Sequence, residues 1–156
     1  MKKRKTRGTV LIIEDSPSEA YLLSELFKEE GWDVKRASSI RMMKRLDCTF
    51  FFMIVLDYHL PGVSGLDAIK VVRETFPKTA ILVYTGNSDP SLSIPSLNAG
   101  ADEWFVKGQH NGDLLEIMRA GYLRRRHREK CKTCPTCEIS HNECFSEETE
   151  KIIRAG

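Results

Sequence analysis

No stretch of this 156-residue chain is apolar for long enough to cross a bilayer: the longest run, residues 50–56, falls far short of the roughly 20 that a membrane helix needs. A secretory leader is not expected either. The basic start, residues 1–7, has the charge of one, but only Val10, Leu11, Ile12 and Ile13 follow before the acidic pair Glu14-Asp15. There is no internal repeat and no low-complexity tract. Cysteine is nearly absent from the first 130 residues, where Cys48 stands alone and reads as a small buried hydrophobe. The expectation is a soluble, cytoplasmic protein with one proper core and no room for a second full domain.

Cations are scarce in the middle of the chain. The formal net charge of +2 hides this, because residues 9–118 carry 10 cations against 16 acids. The flanks are basic. Residues 1–8 hold Lys2, Lys3, Arg4, Lys5 and Arg7 with no acid, and residues 119–130 hold six cations against Glu129. The run Arg124-Arg125-Arg126-His127-Arg128 reads first as a solvated helix end whose charges suit the C-terminal dipole, and second as a nucleic-acid or membrane-surface patch. The division expected is a basic tail over 1–8, a domain over 9–128 and a cysteine-rich tail over 129–156.

What is present is a regular alternation. Apolar runs at 10–13, 51–56, 80–84 and 103–106 read as buried strands, and a shorter strand is expected over 32–36. Helical periodicity fills the gaps. Ser16-Pro17 supplies an N-cap and N1 proline ahead of an apolar stripe of Ala20, Leu22, Leu23, Leu26 and Phe27. A helix near residues 40–46 is expected to turn Met42, Met43 and Leu46 to the core. Another carries Leu66, Ile69, Val71 and Val72 toward Phe76-Pro77, and residues 91–98 are a weaker helix because Pro95 interrupts them. A last amphipathic segment begins near Gly112. About five βα units fit, implying right-handed crossovers and a parallel sheet covered on both faces.

Four of these strands end in residues with chemistry: Glu14-Asp15, Asp57, Thr85 and Lys107. In an open parallel sheet the carboxyl ends meet at the switch point, so the four pieces converge on one crevice. A carboxylate accepts a phosphoryl group only if a divalent cation offsets the repulsion between anions. Glu14, Asp15 and Asp57 are the hard oxygen ligands that magnesium prefers. Lys107 supplies a cation for the phosphoryl oxygens, and the Thr85 hydroxyl a hydrogen bond.

The motifs VLIIEDSPSE, MIVLDYHLPGVSG, ILVYTGNSD and AGADEWFVKG, in this order, resemble the receiver domain of two-component response regulators across roughly residues 8–128. The resemblance implies an α/β, flavodoxin-like (βα)5 doubly wound parallel sheet with strand order 2-1-3-4-5. It implies that Asp57 accepts a phosphoryl group from a sensor histidine kinase or phosphotransfer protein. Magnesium would be held by Glu14, Asp15, Asp57 and the backbone carbonyl of His59. Thr85 and Trp104 match the switch pair, although Trp104 as plain core packing stays open. The resemblance also implies that His59 and Asn87 flank the path of a hydrolytic water, and they are expected to set the phosphate's lifetime. Gly108 stands where the family usually has proline, Gly86 where it often has alanine, and Trp104 is bulkier than the usual aromatic.

The tail reads C-x2-C-x2-C-x3-H-x2-C through Cys131, Cys134, Cys137, His141 and Cys144. Three readings stay open: a metal site, zinc ahead of iron-sulfur; a redox or disulfide pair; and a reduced, flexible tail. After the arginine run too few residues remain for a helix-turn-helix domain of about 60 residues, so DNA binding within this stretch is not expected. Output is expected through a downstream protein partner, a homodimer, or sequence beyond Gly156, since EETEKIIRAG looks helical without a stop signal. Two other functions compete. A haloacid-dehalogenase-type phosphatase also uses aspartate, threonine and lysine, but wants its nucleophile after the first strand with an aspartate two residues on; Asp15 precedes Ser16-Pro17 instead. A phosphate-independent scaffold would leave the same residues inert.

Overall fold

The computed structural model describes residues 7–47 and 50–109, together with Met118, Gly121 and Arg125. Five parallel strands form one sheet: β1 (Thr9–Ile13), β2 (Asp33–Ala37), β3 (Met53–Leu56), β4 (Ala80–Thr85) and β5 (Glu103–Val106), in the spatial order β2-β1-β3-β4-β5. Four helices connect them: α1 (Pro17–Glu29), α2 (Ile40–Met43), α3 (Gly65–Thr75) and α4 (Ser93–Ala99). This is the expected doubly wound α/β architecture. Met118, Gly121 and Arg125 are helical; the rest of the expected fifth helix lies outside the described residues.

The strands alternate sides and are apolar on both, which divides the core into two layers. Leu11, Ile13, Ile54, Leu56, Ile81 and Val83 pack with Met43, Ala68, Ile69 and Val72. Val10, Ile12, Met53, Val55, Leu82 and Phe105 pack on the other face with Leu23 and Phe27 of α1 and with Met118. The strand order reverses at β1, whose neighbours are β2 and β3, so the crevice opens between the ends of β1 and β3.

Two apolar stripes are narrower than expected. Leu22 is 66% exposed, and Leu26 is also exposed; the buried face of α1 is Ala20, Leu23, Ser24 and Phe27. A 13-residue helix on a flat sheet buries a strip one residue wide per turn, and Leu22 and Leu26 fall beside it. Likewise α2 ends at Met43, so Met43 enters the core while Met42 stays exposed. Pro95 interrupts nothing: α4 starts at Ser93, which puts the proline in the first turn, where its missing N–H would have had no helical partner.

Capping locks the two helices that flank the crevice. The Ser16 side chain accepts the Glu19 N–H at the start of α1, and the Ser64 side chain accepts the Asp67 N–H at 3.2 Å at the start of α3.

Candidate functional site

Backbone hydrogen bonds run across the strand ends like a seam. Glu14 N–H donates to Ala37 O (3.0 Å), Asp57 N–H to Ile13 O (2.9 Å) and Lys107 N–H to Thr85 O (2.7 Å). The register beneath pairs Ile13 with Leu56 and Thr85 with Val106. A residue one step past each strand therefore lands beside its neighbour's equivalent, and residues far apart in sequence share one crevice.

The acidic pair and Asp57 meet as expected. Glu14, Asp15 and Asp57 each offer a carboxylate oxygen, and these lie within 4.8 Å of one another. Glu14 and Asp57 are buried, whereas Asp15 is exposed. Packing three acids so closely costs free energy unless a cation is shared. The donor set is all oxygen, and these residues fit a hard divalent cation such as magnesium. Burial pushes the Glu14 carboxyl above its ordinary value; hydrogen bonds from Lys107 and the Ser16 N–H pull it back, and the Asp57 charge adds to the rise.

Among the described residues, Lys107 is the cation that faces this cluster. Its Nζ donates to Glu14 Oε2 at 2.7 Å, pairs with Glu19 Oε2, and lies 3.7 Å from Asp57 Oδ2. It also stands 5.6 Å from the centre of the Tyr84 ring. Burial alone would lower the ammonium's value, but the hydrogen bonds to Glu14 and Glu19 and the charge of Asp57 push it up to about 12.

The neighbouring groups are held by their own backbone. His59 N–H donates to Asp57 Oδ1 at 3.3 Å, which fixes one carboxylate oxygen. Thr85 is fully buried, and its Oγ1 accepts the Asn87 N–H at 3.1 Å. A hydroxyl that accepts in this way still carries its own hydrogen to donate. The Asn87 Oδ1 accepts the Asp89 N–H at 2.9 Å, and the His59 side chain is exposed. Trp104 is half-buried and meets the Tyr58 ring edge to face at 5.2 Å. Gly108 has φ of 82°, a conformation the proline ring forbids, so the turn after Lys107 takes a path that proline could not follow.

Two partners were not legible as site residues. Glu19 occupies the last position of a capping box, Ser16-Pro17-Ser18-Glu19, where a carboxylate normally reaches back to the N-cap N–H. Nothing in the sequence marks Tyr58, beside Asp57, as more than an ordinary aromatic. Its ring lies where any side chain at Gly65 would go, so a methyl group there would clash with it. The possible ligands Cys131, Cys134, Cys137, His141 and Cys144 lie outside the described residues, as do Cys48, His110 and His127.

The Response regulator receiver domain family model matches residues 10–119. The chain belongs to that family. Among curated relatives it is 27% identical to the cell cycle transcriptional regulator CtrA of Caulobacter vibrioides over 115 residues, which is 71% of this chain and 48% of that protein. It is 32% identical to the transcriptional regulatory protein TrcR of Mycobacterium tuberculosis over 117 residues, covering 74% of this chain and 45% of TrcR. The chain thus spans about half the length of these curated relatives. Among solved structures, the chemotaxis response regulator CheY4 of Vibrio cholerae superposes with a TM-score of 0.66 at 27% identity, covering 74% of this chain and 99% of that one. The response regulator TrrA of Thermotoga maritima, solved in complex with Mg2+ and BeF, gives 0.63 at 27% identity, covering 72% and 97%. The phosphatase reading is not favoured, because Asp57 follows the third strand and not the first.

Proposed function

We propose that Asp57 accepts a phosphoryl group from the phosphohistidine of a sensor kinase or phosphotransfer protein in the cytoplasm, and that the phosphorylated chain then switches a surface for a protein partner or a second copy. The observation that carries this reading is the meeting of Glu14, Asp15 and Asp57 with Lys107 at the ends of three strands. An Asp57 Oδ attacks phosphorus, the P–N bond breaks with its electron pair left on the imidazole, and an acyl phosphate forms. Hydrolysis returns the carboxylate when water attacks the same phosphorus, the P–O bond breaks and a proton passes to solvent.

Magnesium, held by Glu14, Asp15, Asp57 and the His59 carbonyl, would supply positive charge between acceptor and phosphoryl oxygens. Lys107 would neutralise the developing charge from the other side, and the Thr85 hydroxyl would donate to a phosphoryl oxygen. Trp104 is the aromatic that would rotate inward as the Thr85 hydroxyl moves toward the phosphoryl group, and His59 and Asn87 border the approach of water. The chain's own chemistry is limited to taking and losing the phosphoryl group.

Incubation with acetyl phosphate and magnesium tests the reading. Intact-mass measurement is expected to show the gain of one phosphoryl group on the wild type and none on Asp57→Asn. An equal gain on both would overturn it.

A further inference from the structure

Lys107 does not wait beside Asp57. Its ammonium has three hydrogens, and two are directed to glutamates: one to Glu14 Oε2 at 2.7 Å, one to Glu19 Oε2. Asp57 Oδ2 stands farther off at 3.7 Å. Glu19 is the unexpected member. It sits in the first turn of α1, where the sequence Ser16-Pro17-Ser18-Glu19 has capping-box spacing. The reciprocal half of that box is not made, because the Ser16 N–H donates to Glu14 Oε1 at 3.1 Å. The Glu19 carboxylate is thereby released from its usual local partner and reaches a lysine 88 residues away.

We infer that Glu19 is a positioning residue that holds Lys107 off Asp57 in the unphosphorylated protein, so that a phosphoryl group must win the lysine from it. The inference rests on the phosphoacceptor reading of Asp57 and deepens it. Glu14 is a proposed magnesium ligand, and oxygens given to a cation no longer hold Lys107. Glu19 lies outside the acidic triad, its side chain is 44% exposed, and it keeps its grip. When Asp57 carries a phosphoryl group, Lys107 turns to the new anion and Glu19 is released to solvent. The competition lowers the phosphorylated fraction at any given donor concentration and marks the first turn of α1 as a place where the two states differ in charge.

The test uses the full chain as wild type, Glu19→Gln and Glu25→Gln, the last removing an α1 charge that pairs with Lys28 instead. Each is incubated with acetyl phosphate and magnesium, and phosphorylated fraction and decay after donor removal are read by intact mass. Glu19→Gln is expected to lengthen the phosphate's half-life or raise its steady-state level roughly two- to fivefold, the range for removing one partly exposed ion pair. Glu25→Gln is expected to leave both unchanged. Equal behaviour of wild type and Glu19→Gln overturns the inference, as does an equal shift in Glu25→Gln, which would reduce the effect to net charge.

A second readout needs no phosphate. Urea unfolding of Glu19→Gln, Lys107→Met and the double variant without magnesium forms a cycle, and non-additive effects are expected. Additive effects overturn the pairing and the inference with it. If the wild type takes no phosphoryl group, the receiver reading falls and carries this one down. A wild type that is phosphorylated beside an unaltered Glu19→Gln sinks only the role of Glu19.

Discussion

Tyr58 and Trp104 meet edge to face, ring centres 5.2 Å apart at 74°, and the tyrosine directly follows Asp57, the proposed phosphoacceptor, in sequence. A change in the backbone at Asp57 therefore has a physical route to the aromatic on β5 that does not pass through Thr85. The Tyr58 ring is itself wedged against the start of α3, where the absent Cβ of Gly65 leaves it room. Gly65→Ala is expected to displace the ring and destabilise the fold by about 1–3 kcal/mol, as overpacking does. Chemical denaturation measures this, and an unchanged midpoint would show that Tyr58 moves aside freely.

The same contact makes Trp104 a reporter. Of the two tryptophans, Trp32 packs against Phe52 at 4.5 Å within the layer formed by Val10 and Phe27. A change of fluorescence on phosphorylation is expected to survive Trp32→Phe and to vanish in Trp104→Phe. The opposite pattern would remove Trp104 from the proposed switch.

Crowded carboxylates give a metal-dependent stability. Magnesium is expected to raise the melting temperature of the wild type, since a ligand at one hundred times its Kd stabilises by about 2.7 kcal/mol. The rise is expected to disappear in Glu14→Gln and Asp57→Asn. Because burial holds the Glu14 carboxyl above its ordinary value, its ionisation opposes folding. Its contribution to the metal-free protein is present below the ordinary value of 4.5 and is lost as the pH rises through the higher folded value. Glu14→Gln is expected to lose less stability than the wild type over that acidic window in urea titrations without magnesium.

Lys107 sets an alkaline limit. Its value is raised from 10.5 to about 12, so it stabilises the fold fully below pH 10.5, and this is lost as the pH climbs through about 12. Burial also raises Tyr84, whose contribution fades in the same direction. The difference between wild type and Lys107→Met isolates the lysine: the gap in unfolding free energy is expected to be constant near neutrality and to close above pH 10.5. A gap independent of pH would show that the ammonium gains nothing from Glu14 and Glu19.

Far from the acidic crevice, Arg73 ties the opposite end of the sheet together. It donates to Gly100 O at 2.9 Å and Thr79 O at 2.6 Å, and its Nη2 meets Asp102 Oδ2 at 2.7 Å. The same oxygen accepts the Ile81 N–H, and Asp102 is only 1% exposed. Arg73→Ala leaves that carboxylate with much weaker compensation and is expected to cost about 3 kcal/mol by equilibrium unfolding. A loss under about 1 kcal/mol would mean that solvent or other cations replace the arginine.

The sheet and the acidic crevice are legible in the order of residues alone. Runs such as residues 10–13 and 80–84 are apolar on both faces, which only a strand covered on two sides tolerates. The polar residue after each run must then fall at a strand end, where the parallel register aligns it with its neighbours. The side-chain partners, in contrast, follow from the folded packing. A stripe holding Leu22 and Leu26 does not say how narrow a strip the sheet will cover, and both side chains stay exposed. Glu19 carries a local capping signal, yet its carboxylate goes to Lys107 because Glu14 already occupies the N-cap N–H. Arg73 finds Asp102 across 29 residues. Period and propensity act over a few residues, whereas these pairings depend on which donors the folded backbone has left unsatisfied, and that exists only once the strands are side by side.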